Sequence, residues 1–247
     1  MSVRPTNQPT PSRNVDNPRV ARDPLREEEH ESRWEAAPAV LLVIALQLLL
    51  ALVSRQQDWV TWIFHWWVWL IPVVPEALLL AALALDAPRH QLEQMGMRRE
   101  VALTLFAVVT VANAFLLVAV IASLLRGEEK SGAQLLLKAA CVWGTNVIAF
   151  GLWYWGLDRG GPVTRREPGA PLPDFQFPQM ENPQFAPANW LPALYDYMYV
   201  SFTNAVAFSP TDAMPLTRRA KLLMLVESAV SSLTLLLVAA RAVNIFK

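Results

Sequence analysis

Several residue types are scarce in this chain, and each scarcity closes off a class of function. One cysteine, Cys141, stands in 247 residues, so no intramolecular disulfide framework is available. The three histidines, His30, His65 and His90, lie far apart, and none has a second ligand at metal-binding spacing. Charged residues are 17% of the chain and cancel to no net charge. That removes the basic face with which a protein neutralises phosphates, and nucleic-acid binding with it. Glycine is limited to nine; no Gly-rich phosphate loop occurs and no serine sits in a nucleophile elbow. No nucleophile–base pair or metal constellation can be assembled from the spacing, so the chain is expected to be no enzyme and to use no cofactor and no metal.

Apolar residues, by contrast, make up 54%, with ten tryptophans and nineteen prolines. That content at this length points to an integral membrane protein. Residues 1–35 hold almost nothing apolar and are expected to form a disordered hydrophilic tail, unable to bury enough surface to offset ordering entropy. The tail is too long and too acidic for the n-region of a signal peptide, so the apolar run behind it is expected to be retained. That run, Ala36–Val53, is uncharged and long enough to cross a bilayer core of about 30 Å.

Residues 61–85 open with Trp62, Trp66, Trp67 and Trp69, clustered as interfacial aromatics are. Pro72 and Pro75 then break the segment. Pro75 with Glu76 suits the first turn of a helix, where the missing N–H costs nothing and an acid meets the positive dipole end. A polar linker at 86–100 precedes a clean span, Val101–Leu125, and Gln134–Leu157 gives a fourth, ending in Trp153–Tyr154–Trp155 and a turn at 158–162. Residues 36–157 thus read as a four-span region, and 158–189 as a Pro-rich loop outside the hydrocarbon, where unpaired backbone amides are tolerated. Residues 190–208 are amphipathic. After the basic cluster Arg218, Arg219 and Lys221, a last span runs from Leu222 to Ile245.

The stretch SFTNAVAFSPTD, residues 201–212, carries the functional question. Tyr199–Asp212 resembles, without a gap, the pore-loop region of two-span potassium channels: Tyr199, Ser201, Phe202 and Thr203 coincide at the helix end and Asp212 at the far end. Pro215 and the helix that follows are similar to the inner-helix region of those channels. The departure falls on the filter, where Ala207, Phe208, Ser209, Pro210 and Thr211 replace T-V-G-Y-G. Filter glycines adopt backbone angles closed to residues with a Cβ, and Pro210 fixes φ near −65°, so carbonyl-ring selectivity for potassium is not expected. The chain is also similar to an uncharacterised family of bacterial polytopic membrane proteins, on Leu157–Pro162, Phe177–Met180 and Tyr199–Leu216. That resemblance implies a multi-pass protein of the bacterial inner membrane and supplies no activity.

Single residues admit two readings each. Ser209, Thr211 and Asp212 are polar groups at a pore mouth, or ordinary caps of helix ends. Glu227, Ser231, Thr234 and Arg241 recur at offsets of four, three and seven on one helical face. Charges at membrane depth are expensive and usually functional, but Glu227 also lies within reach of an ion pair with Lys221, and Arg241 suits an interfacial anchor. Lys138 is expected to snorkel. Asn113 and Asn146 suit a pathway or interhelical hydrogen bonds, and Asp196 a vestibule or the wet face of an interfacial helix.

The expected fold is an all-α integral membrane protein with about five transmembrane helices, its region 190–247 holding a re-entrant, pore-like half helix at 190–208, a turn and the last span. The expected function is pore-loop-channel-like passage of an ion or small solute, lined by Thr203, Asn204, Ser209, Thr211, Asp212 and Glu227. The bilayer and a homo-oligomer, a tetramer in the channel-like case, are the partners expected. The alternative is a non-catalytic scaffold or accessory subunit that binds a partner through Phe175, Phe177 and Phe185 of the loop. With five spans, positive-inside counting puts the N-terminus, 86–100 and 158–221 in the cytoplasm, whereas a potassium-channel-like loop faces outward. A full crossing by 190–208 would give six spans and leave 218–221 outside.

Overall fold

The computed structural model describes residues 35–129, 131–188, 190–209 and 212–245, without the side chains of Asp86, Glu93 and 241–245. Residues 1–34 of the tail expected at 1–35 lie outside these residues, as do Pro210 and Thr211. In chain order the elements are α1 (Ala37–Gln56), a 3-10 turn (Trp66–Leu70), α2 (Val73–Ala84), α3 (Asp86–Gln94), α4 (Arg98–Leu125) and α5 (Gly132–Leu157). A compact loop follows with β1 (Phe175–Gln176) and the single turn α6 (Pro178–Glu181). Then come α7 (Leu194–Ala207), β2 (Met214–Pro215) and α8 (Arg218–Ile245).

Local chemistry sets the boundaries. A proline stands in the first turn of α1, where its missing N–H leaves no bond unmade. Ser131 caps α5 by accepting from Gln134 N at 3.1 Å. Pro72 precedes α2 and Glu76 falls in its first turn. The polar linker expected at 86–100 is largely helical, as α3, and α4 and α8 begin at Arg98 and Arg218, before the apolar runs. Helical hydrogen bonding continues through polar residues at a helix end, so apolar content marks the span and not the helix.

Five helices are long and apolar enough to cross a membrane: 37–56, 66–84, 98–125, 132–160 and 218–240. Of these α5 is the most buried and packs against α1, α4, α7 and α8. Large apolar side chains point outward, among them Leu41, Leu52, Val111, Leu225 and Leu236, while Gln47, Glu76, Asn113, Asn146, Glu227 and Ser231 are buried. Polar-inside, apolar-outside is the distribution a lipid solvent favours.

α7 differs from these five. Its 14 residues give a rod of about 21 Å at 1.5 Å per residue, short of a bilayer core. The helix starts at Leu194, after an extended Ala193, and Asp196 caps it by accepting from Ala193 N at 2.8 Å. It packs on α5 at Gly151, where a Cβ would meet Met198 Sδ at 2.5 Å and Met198 Cα at 3.3 Å. The helix ends on Phe208 in the left-handed conformation, φ 55°. The chain then turns back, because β2 pairs antiparallel with β1 in the loop after α5, Phe175 opposite Pro215. The start of α7 and the strand β2 therefore lie at the same end of the bundle.

Candidate functional site

Glu227 lies about 13 Å along α8 from Arg218, and none of it is exposed. Tyr154 Oη and Asn204 Nδ2 each donate to Glu227 Oε2 at 2.5 Å, and Ser201 Oγ bonds to Glu227 Oε1. Ser201 Oγ also reaches the Val147 carbonyl at 2.7 Å. The other N–H of Asn204 goes to Met224 O at 3.1 Å, and Ser228 Oγ donates to Asn204 Oδ1 at 3.2 Å. One turn deeper, Asn146 Nδ2 donates to Ser231 Oγ at 3.0 Å and to Glu227 O at 3.3 Å. The carboxyl group is thus the knot that joins α5, α7 and α8.

The local sequence explains the convergence. Tyr197, Ser201 and Asn204 follow at offsets of four and three, one face of α7, and all three are buried. The opposite face, with Tyr195, Tyr199, Phe202 and Val206, is exposed. Glu227, Ser231 and Thr234 share a face of α8 and are buried. No basic side chain pairs with Glu227 among the described residues; Lys221, the expected partner, is exposed. The Arg241 side chain lies outside the described residues.

The expected lining residues separate into two groups. Asn204 and Glu227 meet. Thr203 turns its hydroxyl onto its own helix, toward Tyr199 O at 2.9 Å and Val200 O at 3.0 Å, and does not reach the carboxyl. Ser209 and Asp212 are exposed at the turn after α7, and Thr211 lies outside the described residues. The buried knot and the exposed turn are distinct places on one hairpin. Tyr154 and Ser201 were not among the expected lining residues, although the spacing of Ser201 from Asn204 places both on one face.

A second polar network closes the end of the bundle where the hairpin begins. Arg159, Gly160 and Gly161 have φ of 51°, 82° and 107°, and this left-handed run reverses the chain at the end of α5. A Cβ on Gly161 would stand 3.1 Å from the Gly156 carbonyl oxygen. The reversal brings Arg165 back over α5, where it donates to Trp155 O and Tyr197 Oη. Tyr197 Oη donates to Asp158 Oδ2 at 2.5 Å, and Asp174 N donates to Asp158 Oδ1 at 2.6 Å. Asp174 in turn accepts from Thr217 Oγ1 at 2.6 Å and from Arg219. Burial pulls the Arg165 guanidinium below its ordinary value, and Tyr197 and Asp158 oppose that shift. The expected loop is therefore a folded cap. Phe175 and Phe177 are core residues within it, and of the three expected partner contacts only Phe185 is exposed.

Lys138 does not snorkel. Its side chain is fully buried, 2.8 Å from the equally buried Glu129 and 3.1 Å from Val60 O. Glu129 also accepts from Ser123 Oγ at 2.9 Å. A nearby carboxylate nine residues back in sequence removes the reason to reach for the interface. No group of three or more His, Cys, Asp or Glu able to hold a metal occurs among the described residues.

No family model, no curated protein and no solved structure matches the chain.

Proposed function

We propose that the protein is a pore-loop-like protein of the bacterial inner membrane, whose α7 hairpin enters the bilayer halfway and returns. In this reading copies assemble around an axis, and an ion or small solute passes along Ser209 and Asp212, beyond α7, without a potassium-type filter. Ser209 and Asp212 supply the polar contacts at the turn. Glu227 is not itself in the passage; it holds the hairpin to α8 and α5 from behind.

The observation that carries the reading is the hairpin geometry. A helix too short to span leaves one end of the bundle and comes back to it, and its polar face is satisfied by a buried carboxyl, not by water. Irregular backbone at such depth needs protein or a water-filled cavity around it. The exposed apolar side chains along α7 and α8 give neighbouring copies a surface to pack on. The scaffold reading loses support from the burial of Phe175 and Phe177.

Reconstitution tests the proposal. Purified protein in liposomes is expected to pass ions, with Asp212→Ala reducing the flux and Glu227→Gln leaving it near wild type. Crosslinking in native membranes is expected to give a homotetramer. Absence of flux in wild type, or a reproducible heteromeric partner with no homo-oligomer, would overturn it.

A further inference from the structure

Away from the hairpin, a void of about 10 Å³ lies between the first four spans. Its walls include Gln47 from α1, Trp69 from the 3-10 turn, Asn113 from α4 and Thr145 from α5. Trp69 is wholly buried, and Gln47 and Asn113 are each 3% exposed. Each of these three presents an atom with no hydrogen-bond partner: Gln47 Oε1, Asn113 Oδ1 and Trp69 Nε1. The other end of the Gln47 amide is engaged, donating from Nε2 to Glu76 Oε1 at 3.0 Å.

The inventory is specific. Two of the unpartnered atoms are acceptors and one is a donor. A water molecule offers two donors and accepts at least one bond, and about 10–15 Å³ of such space holds one water. A bare metal cation would satisfy the two amide oxygens but would confront the indole N–H. An apolar occupant would leave all three groups unmet, and a buried polar group without a partner is costly.

We propose that Gln47, Trp69 and Asn113 form a binding site for a single water molecule. That water donates to Gln47 Oε1 and Asn113 Oδ1 and accepts from Trp69 Nε1. Through the Gln47 amide it extends the hydrogen bonding of Glu76, which is itself wholly buried. On α5, Thr145 borders the void and the adjacent Asn146 reaches Ser231 and Glu227, so the site continues a polar layer at mid-height of the bundle. It stands independently of the hairpin and of any passage there.

Radiolytic hydroxyl labelling of the intact protein in isotope-labelled water, read residue by residue by mass spectrometry, tests the site. Water held against Trp69 is expected to label it despite its burial. Asn113→Leu fills the void and is expected to remove most of that label, with Trp155 as an unchanged internal standard. Gln47→Met, nearly isosteric, gives the same loss if Asn113→Leu fails to fold. Wild-type Trp69 without label, or label unchanged in both variants, overturns the site. A saturable thermal stabilisation by sodium that both variants abolish would also overturn it, in favour of a cation.

Discussion

At the residue scale, the two buried acids with the richest surroundings do different work. Glu227 receives hydrogen bonds from three side chains on two other helices. Replacing it by leucine leaves the Tyr154 hydroxyl and the Asn204 amide without an acceptor, at about 1–3 kcal/mol for each buried group. A glutamine can instead turn its carbonyl to Tyr154 and Asn204 and its amide to Ser201. Thermal melts in detergent are therefore expected to show Glu227→Leu strongly destabilised and Glu227→Gln close to wild type; equal loss in both would show that the charge, not the bonding, holds the hairpin. Asp158 is set against Arg165, with Oδ2 and Nη1 4.0 Å apart and both side chains buried. Arg165→Met removes the cation and leaves a buried acid, a change worth about 3–5 kcal/mol when the pair is essential. Asp158 keeps its bonds from Tyr197 and Asp174 N, so the lower end of that range is expected by the same melts.

At the scale of elements, the contact between α5 and α7 decides where the hairpin sits. Gly151 admits Met198 at a distance no side chain would leave. Gly151→Val is expected to cost about 1–3 kcal/mol as an overpacked core position, measurable as a lowered melting temperature with the helical content retained. A neutral result would mean that α7 is free to move away from α5. The long elements were legible because an uninterrupted apolar run of more than about eighteen residues has few alternatives. The proline break before α2 was legible for the same reason that proline starts helices. The cap was not. Its order comes from Asp158, Arg165, Asp174, Tyr197 and Arg219, which meet only after the chain reverses at Arg159–Gly161, and a Pro-rich composition carries no record of such pairings. The Lys138–Glu129 pair was missed similarly: hydropathy predicts that a lone lysine seeks water, and the partner lies beyond a turn.

At the scale of the whole molecule, five long helices turn apolar surfaces outward, and buried polar groups form a layer between them. Gln47, Glu76, Asn113, Asn146 and Glu227 come from different spans; the Asn146 amide and the Glu227 carboxyl are bonded across helices, while Gln47 Oε1 and Asn113 Oδ1 have no protein partner among the described residues. The sequence marked Glu227 and Asn204 as candidate lining residues but joined them to Ser209 and Asp212 in one surface. The fold separates them, because a helix face repeats every three to four residues, whereas the turn beyond Phe208 follows no such period.

Cysteine accessibility tests the half-inserted hairpin most directly. On a Cys141→Ser background, single cysteines at Leu172 in the cap, Phe202 on α7 and Met214 on the return strand would be challenged in sealed vesicles of known orientation with a membrane-impermeant maleimide. Leu172 and Met214 are predicted to label from the same side only, and Phe202 from neither. Labelling of Phe202 as fast as Leu172, or of Leu172 and Met214 from opposite sides, would contradict the account.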